Sequence, residues 1–212
     1  MVNSDAKKER IEELRAELAE LEGELQDSPE TWQPDESDYY GLYHATSGLT
    51  LGIIGALVSL LFNVVGSLIV GQHPLRLIQV YLTFPLGERA MSSEFDTGII
   101  LATGCCLYIG TGMLLGIVFQ MSIARFIPHA NLMTRMLFAT VLGLLVWGVN
   151  HYGILSWLQP LLFGGNWISD PSILPLSVGA ATHLVFGWTM AYVYPWGKHE
   201  RYLQPSAASQ AS

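Results

Sequence analysis

Asn63, Cys105, Cys106, Tyr108, Asn150, His151 and His183 are polar side chains set in otherwise apolar sequence, and they are where chemistry would have to reside. Two histidines on neighbouring membrane helices could ligate a b-type haem or a metal, because an imidazole nitrogen is a common axial or metal ligand. His151 and His183 are the candidates for such a cofactor site. A two-haem arrangement would require further histidines, and His44, His73, His129 and His199 fall outside the predicted spans. A metal would want a third ligand, for which Cys105, Cys106 or Asn63 is available, and no dedicated metal motif is present. The alternative is that His151 and His183 hydrogen-bond between helices, as polar side chains in membrane bundles commonly do.

Other chemistries find little footing, and no catalytic residues are assigned. The chain has no Gly-rich phosphate loop, HExxH, GxSxG or CxxC in the context those reactions need. The only cysteines are adjacent, which does not make a disulfide framework. The predicted spans contain no charged residue, which argues against a proton pump or ion-coupled transporter.

The elements that must position these residues are apolar. Residues 39–75, 97–124, 136–169 and 171–197 carry no Asp, Glu, Lys or Arg. About 20 apolar residues suffice for a helix to cross the hydrocarbon layer. The chain of 212 residues is 50% hydrophobic and 13% charged, against about 25% charged in soluble domains. The expected fold class is therefore an all-α membrane protein with four transmembrane helices, at 48–70, 98–121, 136–157 and 173–194. Counting about 1.5 Å per residue along these helices places the polar residues at comparable depth in the outer half. They form a polar layer in that reading.

Ahead of the spans, residues 6–26 are helix formers in which Ile11, Leu14, Leu18, Leu21 and Leu25 alternate spacings of three and four. This is the a/d seam of a coiled coil. So short a helix is marginal alone, so it is expected to pair with a protein partner or form a homo-oligomer. Residues 27–38 carry two prolines among acidic side chains and suit a linker, and Tyr39, Tyr40 and Tyr43 suit a headgroup boundary. The net charge of −8 is concentrated in this region, which argues against nucleic-acid binding.

Lys7, Lys8, Arg10, Arg15, Arg125, Arg135, Lys198 and Arg201 fall on one side of a four-span topology, and Arg76 and Arg89 on the other. Positive charge is retained inside, so both termini are expected in the cytoplasm. The outer connections, 71–97 and 158–172, are too apolar for free loops and are expected to lie in the interface or against the bundle. The expected organisation is a heptad helix at 1–26, an acidic linker and interfacial entry at 27–47, a membrane domain at 48–195 and a disordered tail at 196–212.

Residues 55–63 align weakly with 143–151, and 108–112 with 183–187, as two parallel hairpin repeats would. Gly48/Gly52 and Gly112/Gly116 are GxxxG pairs, which let membrane helices approach closely. The run HLVFGWTMAYVYP, with the apolar span and the Pro/Gly loop ahead of it, resembles the C-terminal part of small uncharacterised bacterial multi-pass families. That resemblance covers the last third, implies a bacterial inner-membrane setting and supplies no activity. The favoured function is a non-catalytic membrane subunit or scaffold, docking through the heptad helix and the apolar outer connectors. The alternatives are a haem- or metal-binding redox protein and a small-solute transporter.

Overall fold

The computed structural model describes residues 4–27, 41–69, 71, 73–92 and 98–198. The chain divides into two compact units, Met1–Asp38 and Tyr39–Ser212. Most of the expected acidic linker, the side chain of Leu25 and the tail beyond residue 198 lie outside the described residues.

The first unit is represented by one helix, α1 (Ser4–Asp27), rich in Ala, Glu, Leu, Lys and Arg. Arg10 Nη1 donates to Glu13 Oε2 at 2.8 Å along its surface. Ile11, Leu14, Leu18 and Leu21 are all exposed.

The second unit is an all-α membrane protein with four spans, Gly41–Ile69, Gly98–Phe126, Leu132–Phe163 and Leu176–Gly197. No strand occurs among the described residues. Its helices are α2 (Gly41–Ile69), α3 (Arg76–Leu86), α4 (Gly98–Phe126), α5 (Leu132–Gly148), α6 (Ser156–Phe163) and α7 (Leu176–Val193). A π-helical segment, Val149–Leu155, joins α5 to α6, and a 3-10 turn, Tyr194–Gly197, closes α7.

Each of the four spans reaches past at least one of its expected ends, the fourth by its closing turn to Gly197. The first begins at Gly41, because the hydroxyls of Thr46, Ser47 and Thr50 bond back to carbonyls of the preceding turn and so satisfy themselves inside the helix. This puts His44 within the first span, buried, rather than outside it. The second runs on to Phe126, with Arg125 in its last turn. The third continues to Phe163, so 158–163 are helix and not connector. Gly164, at φ 77°, then takes the left-handed conformation that ends it.

Close backbone approach holds the bundle together. The two GxxxG pairs face each other, joining α2 to α4 within this chain. A Cβ on Gly48 would sit 2.6 Å from the Gly116 carbonyl oxygen, and one on Gly52 would strike that of Gly112. Likewise α5 meets α7, where a Cβ on Gly143 would lie 3.0 Å from the His183 oxygen and one on Gly187 would lie 3.0 Å from the Ala139 oxygen. Between these pairs α2 packs on α7, with Gly55 against the Phe186 ring. Phe186 in turn meets Phe119 edge to face at 5.5 Å.

By contrast α4 and α5, though consecutive, touch sparingly. Phe126 against Phe138, beside the turn between them, is one of their contacts. Toward the far end of the bundle the space beside them is taken by α3, whose Ile78, Val80, Leu82 and Thr83 are buried. Buried Gln159 pins this arrangement, donating from Nε2 to Thr83 Oγ1 at 2.9 Å and accepting from the Ile168 N–H at 2.9 Å. Phe84 meets Phe163 at 5.3 Å, so α3 also seats against α6.

Candidate functional site

The segment Val149–Leu155 winds as a π-helix, in which the Ser156 N–H reaches back five residues to the His151 carbonyl. Such segments are uncommon and recur at functional sites, because the wider turn re-aims the side chains on it. Here Asn150 and His151 line a half-open cavity of about 390 Å³. Tyr81 and Phe84 of α3, Tyr108 and Thr111 of α4, and Thr182 and His183 of α7 also contribute to its wall.

Most of the hydroxyls in the wall are committed elsewhere. The Tyr108 hydroxyl shares a 2.7 Å hydrogen bond with Ser59 Oγ, which itself donates to the Ala56 carbonyl. Thr111 donates to the Leu107 carbonyl at 3.0 Å. Thr182 donates to the Val178 carbonyl and accepts from Asn63 Nδ2 at 2.9 Å. Tyr81 and Tyr108 meet edge to face at 5.1 Å, which stiffens that side.

Three polar groups keep capacity for something else. His183 Nδ1 lies 2.9 Å from the Gly179 carbonyl oxygen, which can only accept. In the neutral ring Nδ1 therefore carries the proton, and Nε2 is left as an acceptor. His151 stacks on Trp147 at 5.9 Å and meets Tyr152 edge to face at 4.7 Å. Neither its ring nitrogens nor the Asn150 amide has a hydrogen-bond partner among the described residues.

The expected polar layer is thus divided. Tyr108, Asn150, His151 and His183 share one cavity. Asn63 lies beside a separate hollow between α2, α3 and α7, linked to the cavity wall through Thr182. Cys105 is partly buried against the core and Cys106 is exposed, and neither lines the cavity. Sequence reasoning passed over Tyr81, Thr111, Trp147 and Thr182. The hydroxyls of Thr111 and Thr182 inside apolar runs were the available signal.

His151 and His183 could both face a bound metal or haem iron. No group of three or more His, Cys, Asp or Glu side chains is placed for a metal among the described residues. Among the described residues, no Lys, Arg, Asp or Glu lines the cavity. No protein-family model, curated protein or solved structure matches the chain.

Proposed function

We propose that the protein is a non-catalytic subunit of a membrane assembly, anchored by its four spans and docking a helical partner through α1. The supporting observation is that Ile11, Leu14, Leu18 and Leu21 stand 48–58% exposed, in heptad register, on a helix that forms a unit by itself. A seam of this kind is stable in water only when a second helix covers it.

The flanking charges disfavour a parallel pair of two copies. In parallel self-pairing the seam would bring Arg10 toward Arg15 of the other copy, and Glu17 toward Glu22. Antiparallel self-pairing would set Glu17 on Glu17 and Arg15 on Arg15 at the centre, with opposite charges meeting only toward the ends. A partner helix with the reverse charges avoids both conflicts.

In this reading the bundle end bearing Arg125, Arg135 and Lys198 faces the cytoplasm together with α1, following the bias of basic residues to that side. A bacterial inner membrane is the setting, as the resemblance of the last third implies. The matching approaches of Gly112 to Gly52 and Gly187 to Ala139 support a parallel pair of hairpin repeats, since both fall near aligned positions.

Purification of the full chain from its native membrane in mild detergent tests the proposal. A stoichiometric second polypeptide is expected, lost when residues 1–38 are deleted while the four-span unit still elutes as a single species. A lone chain, unchanged by that deletion, contradicts it. A redox reading draws on His151 and His183 lining one cavity. A Soret band or stoichiometric metal in the same preparation would establish that reading instead.

A further inference from the structure

We infer that the cavity between α4 and α5 is a binding site for a membrane-dissolved quinol, a neutral ring bearing hydroxyls on an apolar tail. Four features of the molecule lead there, and none of them involves α1.

The first is access. The lining includes α4 and α5 with its π-helical segment, two helices that touch sparingly, together with residues of α3 and α7. The cavity is half-open and its lining residue Leu107 is 41% exposed on a helix long and apolar enough to span a membrane, so we place the way in from lipid at the gap between α4 and α5. A ligand dissolved in the bilayer enters there without crossing water.

The second is charge. Among the described residues no Lys, Arg, Asp or Glu lines the cavity, so none of them neutralises a phosphate, carboxylate or ammonium group there. Bringing a charged headgroup into such a place would be costly. Phospholipid headgroups and ionic solutes are therefore disfavoured, and a neutral polar head is favoured.

The third is the hydrogen-bonding set. His183 Nε2 is an acceptor when its ring is neutral, because Nδ1 is held by the Gly179 carbonyl. Asn150 offers both a donor and an acceptor, and the His151 ring is likewise uncommitted. A hydroxyl can donate to His183 while a second oxygen on the ring accepts from the Asn150 amide. A quinone has only acceptors and leaves His183 Nε2 unmatched; the quinol satisfies both.

The fourth is shape. Trp147, Tyr81, Phe84 and Tyr108 supply flat aromatic walls, and the volume of about 390 Å³ lies in the range of pockets that hold small ligands. Leu77, Leu107, Leu115 and Leu155 add apolar lining for the tail. The π-helical turn is what brings Asn150 and His151 together onto this wall.

The test uses the full chain in mild detergent under anaerobic conditions, with thermal stability as the readout of binding. A short-tailed benzoquinol is compared with its oxidised quinone, with farnesol as a tail carrying a hydroxyl but no ring, and with phosphatidylglycerol. Saturable stabilisation by the quinol is expected, with the quinone binding about tenfold more weakly for one unmatched hydrogen bond. Asn150→Leu and His183→Phe should each weaken quinol binding by about the same factor. Equal stabilisation by farnesol or phosphatidylglycerol, no stabilisation by quinol, or equal affinity for both oxidation states overturns the proposal. A Soret band in the purified chain overturns it too, by giving the histidines to iron. The comparison among ligands needs only the unaltered protein, so a variant that fails to fold leaves the test intact.

Discussion

Asn63 and Thr182 are the clearest buried pair between α2 and α7, with Asn63 Nδ2 donating to Thr182 Oγ1 at 2.9 Å. Membrane hydrogen bonds of this type contribute about 0.6 kcal/mol on average and up to about 1.7 kcal/mol. A double-mutant cycle of Asn63→Ala and Thr182→Ala, followed by unfolding in detergent, is expected to return a coupling in that range; zero coupling would remove the pair from the account. Asp170, in the loop before α7, accepts from both the hydroxyl and the N–H of Ser172, and these bonds hold its carboxyl below the usual aspartate range. Because the folded value is the lower one, the turn is fully held above the ordinary aspartate pKa and released as the pH falls through the lowered value. Exchange of the Ser172 amide should therefore stay slow at neutral pH and lose protection on acidification, and Asp170→Asn should remove the pH dependence. Counting residues along the helices puts Tyr108, Asn150, His151 and His183 at comparable height, and all four line one cavity. Which way each side chain points was not legible in the sequence, because spans that are apolar on every face carry little angular information. Cys106 shares that level and faces outward.

At the scale of the elements, the four spans follow from charge-free length, and their ends do not. Hydroxyls that bond to their own helix extended the first span to Gly41, and a buried Gln159 turned expected connector into helix. Neither effect registers as hydropathy. The π-helical turn has no sequence signature in VNHYGIL and became visible only in the backbone. The glycines were more informative. Gly52 meets the Gly112 backbone, which cannot yield as a side chain could, whereas Gly110 has nothing within 4 Å of where a Cβ would stand. Gly52→Val is expected to separate α2 from α4 and abolish recovery of folded protein, while Gly110→Val should leave the melting temperature within a degree or two, apart from a small propensity change. Equal behaviour of the two variants in a thermal-stability measurement would show that close approach at Gly52 does not hold the bundle.

Taken as a whole molecule, the chain carries two units, a four-span membrane unit and a helix with an exposed apolar seam. The heptad spacing of Ile11, Leu14, Leu18 and Leu21 was readable from sequence alone. What covers it was not, because a seam specifies a helix and its flanking charges specify only the sign of the partner. The like charges that parallel self-pairing would oppose are the reason for naming a second kind of chain. A photo-crosslinking amino acid placed at Leu18, activated in the native membrane with the full chain, tests this most directly. The account predicts one discrete adduct with a different polypeptide, lost when Leu14 and Leu21 are changed to Asp. Crosslinks confined to lipid, or to a second copy of this chain, would contradict it.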